Sequence, residues 1–160
     1  MDSRSLGDSL NLLTNVMGLI QFSQEGRYNR LKVGDGASTA WIDLVEKSYP
    51  TLPAGGAGTV HHIAWRTSDE KEQLTWRDKL IDNEMYVTEV RDRCYFKSIY
   101  YREPGGVLYE IATDSPGFLI DEDIESLGSD LKLPPWYESR REEIENLLIP
   151  IETTGKVKSS

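Results

Sequence analysis

Apolar and polar positions change period several times along this chain, and the changes mark its elements. Leu10, Leu13, Val16 and Met17 fall on one helical face, predicting a helix over 9–17 with Gly18 behind it as a stop. Leu19 to Ser23 and Tyr28 to Val33 predict strands across a Gln24-Glu25-Gly26 turn. Asp35-Gly36 marks a tight turn, and Thr39 to Val45 alternates as a third strand. Pro50 to Gly58 is rich in breakers and predicts a linker. Thr59 to Arg66 predicts a strand. Ser68 or Asp69 then caps a helix to about Asn83, with Leu74, Leu80 and Ile81 as its apolar stripe. Met85 to Val90, Tyr95 to Arg102 and Val107 to Thr113 predict three more strands, the last two joined at Glu103-Pro104-Gly105-Gly106. After Leu133-Pro134-Pro135 comes a helix over 136–148, and residues beyond Glu152 are expected to be disordered.

These elements predict an α+β fold. The order over 59–118 is βαβββ, and 1–50 has the same order without an opening strand, a topological repeat of roughly 60 residues. The expected organisation is an incomplete αβββ module (1–50), a linker (51–58), a complete βαβββ module (59–118), an extension with a helix (119–152) and a disordered tail (153–160).

Charge excludes one class of function. A net charge of −9 and a pI near 4.7 leave no basic face for nucleic acid. Cys94 is the only cysteine, so no disulfide forms within the chain, which fits a reducing compartment. No apolar run is long enough for a membrane span, and the first residues lack a signal core; the expectation is a cytoplasmic protein.

The candidate chemistry rests on two strands. Alternation places His62, Ala64 and Arg66 on one face of the first, with His61, Ile63 and Trp65 on the other. On the second, Glu110 shares a face with Leu108 and Ala112. A carboxylate among apolar residues needs a partner. A metal shared with His62 supplies one; a salt bridge to Arg66 or Arg102 is the plainer account, and spacing does not choose. An imidazole and a carboxylate are two thirds of a facial metal triad, and the chain's two histidines are adjacent. The tyrosines and Phe96 around Tyr100 suit either a ring-binding pocket or core packing. Cys94 reads as a small buried residue, and Asp92 and Arg93 as an ion pair.

The runs Val60-His61-His62-Ile63-Ala64-Trp65-Arg66 and Tyr95 to Ala112, with Thr113-Asp114-Ser115-Pro116-Gly117-Phe118 after them, resemble the C-terminal part of a ring-cleaving, hydroquinone-type dioxygenase. Such enzymes belong to the glyoxalase/bleomycin-resistance/dioxygenase, or vicinal oxygen chelate, superfamily. The resemblance implies paired βαβββ modules curled around one divalent metal. It assigns metal ligation to His62 and Glu110, and a hydrogen bond to bound substrate to Tyr100, ten positions before Glu110. It implies Fe(II), with Mn(II) or another divalent ion as the alternative, and extradiol-type cleavage of hydroquinone- or catechol-like aromatics with dioxygen. The family's third ligand is a histidine on the strand that would open the first module, and that strand is missing. Members are about twice this length. A truncated product, one part of a split enzyme, and a vestigial ligand-binding or dimerising fragment all stand open, as does a glyoxalase-type isomerase or transferase. The uncovered sheet edge predicts a homodimer, or a partner chain supplying the strand.

Overall fold

The computed structural model describes residues 3–46 and 56–149. The tail 153–160 and most of the linker 51–58 lie outside them, as does the boundary at residue 50. The chain divides into two compact units, Met1–Ile120 and Asp121–Ser160.

The first unit opens with α1 (Ser3–Asn11), which widens into a π turn over Leu12–Val16 instead of continuing as the expected regular helix. The wider turn brings Leu12, Leu13 and Val16 together into the core. Gly18 follows at φ 81, a conformation easy for glycine, and ends the helix as expected. Strands β1 (Ile20–Glu25), β2 (Tyr28–Val33) and β3 (Ala40–Val45) form an antiparallel sheet in the order β1-β2-β3.

The second sheet contains β4 (Ile63–Thr67), β5 (Arg91–Asp92), β6 (Phe96–Arg102) and β7 (Leu108–Pro116), in the order β4-β7-β6-β5. Helix α2 (Glu70–Asp82) joins β4 to β5, and β4 runs parallel to β7. The Asp69 side chain caps α2 through the amide of Glu72, while the Glu72 carboxylate reaches back to the amide and hydroxyl of Ser68. Ordinary helical periodicity misassigns the buried face of α2. Gln73 and Leu80 are buried, whereas Leu74 and Ile81 are exposed. Gln73 sets this rotation, since its Nε2 donates to the carbonyls of Lys97 and Ile111, each at 2.8 Å.

One side of the second sheet is the core side. Ile99, Tyr101, Tyr109 and Ile111 pack there with Leu80, Val87 and the residues of the π turn. Burial raises the phenol pKa of both Tyr101 and Tyr109, keeping them neutral. Glu103, also buried, accepts from the Ser9 hydroxyl and from the amides of Gly105 (2.8 Å) and Val107 (2.9 Å). The hairpin carboxylate thereby fastens α1 to the second sheet.

The strand expected over 85–90 is reduced to one bridge, Val87 with Tyr101, and β5 begins only at Arg91. Arg77 holds this stretch from α2, through the Thr88 carbonyl at 3.1 Å and the Glu89 carboxylate at 2.7 Å. The expected start of β4 at Thr59 is late by four residues, because the ladder to β7 opens at Ile63 with Tyr109.

In the second unit a 3-10 turn (Pro135–Arg140) precedes a short α3 (Arg141–Leu147), where one helix over 136–148 was expected. Pro135 stands at the first position of the turn, where its missing N–H costs nothing. Arg141 bridges Glu138 and Glu145, and Arg140 pairs with Glu143. No described residue of this unit is buried.

Candidate metal centre

Register brings the candidate residues onto one face. Glu110 pairs with Ala64 of β4 on one side and with Tyr100 of β6 on the other. Directly paired residues project to the same side of a sheet, so Glu110, Tyr100 and Ala64 share it, as does Ser98. His62 lies one residue before β4. Its Nε2 stands 2.7 Å from Glu110 Oε2.

Glu110 is 3% exposed, and its second oxygen is also satisfied. Oε1 accepts from the Ser98 hydroxyl and from the Tyr100 hydroxyl at 2.9 Å. This removes the cost of burying the carboxylate. The salt bridge left open by the sequence goes elsewhere. Arg66 pairs with Asp114, and Arg102 donates to the Gly106 carbonyl at 2.9 Å. The partner of Glu110 is His62.

Two further residues support the pair. His61 was expected on the opposite face, but its Nδ1 is 2.8 Å from His62 Nδ1. Strand alternation does not govern it, because both histidines precede the ladder. The contact occupies His62 Nδ1 and leaves Nε2 as the nitrogen facing Glu110. Arg93 was expected to pair with Asp92. Instead its Nε donates to the Tyr100 hydroxyl at 3.1 Å, and its guanidinium lies 5.2 Å from the ring centre. Asp92 accepts from the Cys94 amide at 2.8 Å, and Cys94 is half-buried at φ 69. Ser98 shares strand parity with Tyr100, the one signal its position offers; Arg93, in a turn, carries no periodic signal.

The donor set suits a first-row divalent metal in two positions. Neutral imidazole and carboxylate both bind iron, manganese or zinc. Among the described residues no third histidine, cysteine, aspartate or glutamate completes the group. A groove of about 430 Å³ beside α2, lined by Arg77, Ile81, Met85 and Arg91 among others, includes none of His62, Tyr100 or Glu110. His62, Tyr100 and Glu110 gather on the side of the second sheet opposite its core side.

Known proteins share this sequence and this fold. The chain is 45% identical over 143 residues to MhqO of Bacillus subtilis (strain 168), which is named for ring-cleaving dioxygenase activity; the match covers 89% of this chain and 45% of MhqO. It is 33% identical over 138 residues to the chlorohydroquinone/hydroquinone 1,2-dioxygenase of Sphingobium indicum, covering 84% of this chain and 42% of that enzyme. A crystal structure of a Bacillus subtilis protein described as a dioxygenase superposes with a TM-score of 0.80 at 45% identity, over 91% of this chain and 46% of the other. The fosfomycin resistance protein FosX of Mesorhizobium loti, 16% identical, shares the fold at a TM-score of 0.53 over 69% of this chain and 84% of its own. No protein-family model matches. The chain spans about half the length of the curated relatives it matches. No described helix is long and apolar enough to cross a membrane. By sequence and fold, the chain belongs to the glyoxalase/bleomycin-resistance/dioxygenase superfamily, among relatives named as ring-cleaving dioxygenases.

Proposed function

We propose that this chain forms part of a metal-dependent, extradiol-type dioxygenase that opens the ring of hydroquinone- or catechol-like aromatics. The observation that carries the reading is the contact between His62 Nε2 and the buried carboxylate of Glu110, with Tyr100 beside it. In this reading His62 and Glu110 hold Fe(II), and Mn(II) suits the same donors. The metal supplies electron transfer between a bound ring diol and dioxygen. The protein groups hold and orient. His61 fixes the ring nitrogen that His62 presents. Ser98 holds one oxygen of Glu110, leaving the other for the metal. The Tyr100 hydroxyl hydrogen-bonds a substrate hydroxyl, with Arg93 fixing its position.

We read residues 1–50 and 59–118 as the two modules of one cup, the first without its opening strand. In the second sheet β7 is covered by the parallel strand β4, while β3, last in the first sheet, has no neighbour beyond it among the described residues. A strand from a longer chain, a partner chain or a second copy would cover β3 and could bring the third ligand. We favour a homodimer in a cytoplasmic setting.

Oxygen uptake by the iron-loaded chain, with hydroquinone and with catechol, tests the reading. The expected result is uptake matched by ring-opened product and lost in His62→Ala. Ring-diol binding without oxygen uptake would instead support a non-catalytic fragment. Metal-dependent turnover of another substrate without oxygen would support an isomerase or transferase.

A further inference from the structure

Tyr100 stands across the ladder from Glu110, yet its backbone is held from the other side. Its amide donates to the Thr88 hydroxyl at 3.0 Å, and its carbonyl accepts from the Thr88 amide at 2.9 Å. With both backbone groups turned to Thr88, Tyr100 and Glu110 form a non-hydrogen-bonded pair, the kind whose side chains stand closest. The Tyr100 hydroxyl accordingly reaches Glu110 Oε1 at 2.9 Å. Thr88 itself lies outside the strands. Positions 87 to 91 face positions 98 to 101 across the edge of the sheet, so the outer segment holds one residue more than the inner. Such an insertion breaks the ladder, and the Thr88 hydroxyl takes the place of the backbone carbonyl that a regular edge strand would offer. Arg77 steadies Thr88 from α2, donating to its carbonyl at 3.1 Å. Thr88 and Arg77 line the groove beside α2, which includes none of His62, Tyr100 or Glu110.

We propose that Thr88 is a positioning residue for Tyr100: through these backbone bonds it sets where the phenol hydroxyl meets Glu110 and a bound ring diol. This rests on the ring-diol reading above and adds a residue to it. The Tyr100 ring is rigid, so its hydroxyl goes where the backbone carries it. At the tip it meets Glu110 and Arg93; at the root it is held by Thr88. Removing the Thr88 hydroxyl leaves the Tyr100 amide without its acceptor, and the backbone shifts to find another. Hydrogen bonds weaken steeply once bent or stretched, so a small shift at the root weakens the contact at the tip. Serine at position 88 keeps the acceptor, whereas valine keeps the shape and loses it.

The test pairs NMR on the metal-free full chain with anaerobic calorimetric titration of the iron-loaded chain by hydroquinone. It compares the native protein, Thr88→Val and Thr88→Ser, and repeats the titrations in a Tyr100→Phe background. In Thr88→Val the Tyr100 amide should exchange faster with solvent and the Tyr100 ring signals should shift, while those of Tyr109 stay. Hydroquinone affinity should fall about fivefold, the scale of one hydrogen bond, with iron content unchanged. Thr88→Ser should restore both. On Tyr100→Phe, Thr88→Val should weaken binding no further, because the two residues act as one unit. Thermal melts establish that each variant folds; should Thr88→Val not fold, Arg77→Met, which frees the Thr88 carbonyl, should shift the same ring signals. Unmoved Tyr100 ring signals would overturn the inference, as would an unchanged hydroquinone affinity. So would an affinity loss of equal size with and without the Tyr100 hydroxyl. If the ring signals respond but the native chain binds no hydroquinone, the ring-diol reading falls and Thr88 still positions Tyr100.

Discussion

The two sheets of the first unit were built from similar strands but ended with opposite surfaces. The β1-β2-β3 sheet exposes Ile20 (63%), Phe22 (65%) and Trp41 (49%) beside the Arg30–Asp43 pair. The β1 ladder slips between Gln21 and Ser23, and Phe22, the extra residue, lies edge-on to Trp41 at 5.0 Å. The β4–β7 sheet has buried polar groups at the same depth in its face: Glu110 and Ser98 under His62 and Tyr100. The topological difference is one parallel strand. Beside β7 stands β4, and the histidine pair precedes it; beside β3 there is no counterpart among the described residues. A buried carboxylate needs polar partners; Glu110 finds them in Ser98 and Tyr100 of β6 and in His62 just before β4, and among the described residues the first sheet has no counterpart to β4.

The largest effect that would break this comparison is at Glu110. Glu110→Ala removes the acceptor of His62, Ser98 and Tyr100 together. On the proposed function ring cleavage should disappear, and the apo chain should lose about 3 kcal/mol in urea unfolding. An unchanged midpoint would mean the cluster is not held in solution. Glu103→Ala comes next, since it strands the Ser9 hydroxyl and two amides; about 2 kcal/mol should be lost. Amide exchange should then quicken in α1, which that carboxylate fastens to the second sheet. No change in α1 protection would show that the apolar core alone holds it.

Trp41→Ser should cost roughly 0.5 kcal/mol or less, as for an exposed side chain. A cost that grows with protein concentration would show that this face is covered by a second copy. The smallest effect is at Glu72. Hydrogen bonds from the Ser68 hydroxyl, then the Ser68 amide, pull its pKa down to about 2. A folded pKa below the unfolded one stabilises above the ordinary carboxylate range, and that stabilisation fades as pH falls from about 4.5 towards 2. Glu72→Gln should therefore melt slightly earlier at pH 7 and match the native chain near pH 2. A difference that persists near pH 2 would assign the effect to shape, not charge.

Strand parity accounts for part of the arrangement. Glu110 and Tyr100 meet because alternation and register act together along Leu108 to Ala112 and Ser98 to Arg102, whereas His62, one residue before the ladder, reaches Glu110 from outside it. Parity failed at His61, which precedes the ladder. It had nothing to say of Arg93, whose place depends on a tight turn after β5. In α2, apolar spacing favoured Leu74 and Ile81, but the buried partners of the sheet carbonyls needed an amide, and Gln73 took the inner position. The stretch 85–90 has the composition of a strand, yet its hydrogen bonds are divided between Tyr100 and Arg77. The breadth of the π turn at Leu12–Val16 follows from packing against Tyr101 and its neighbours, which no local pattern encodes.

The central claim is that His62 and Glu110 form a metal-binding pair. Anaerobic titration with Fe(II), followed by dialysis and metal analysis, tests it most directly on the native chain, His62→Ala and Glu110→Gln. The account predicts close to one iron per native chain and little in either variant. Iron retained equally by all three, or by none, would contradict it.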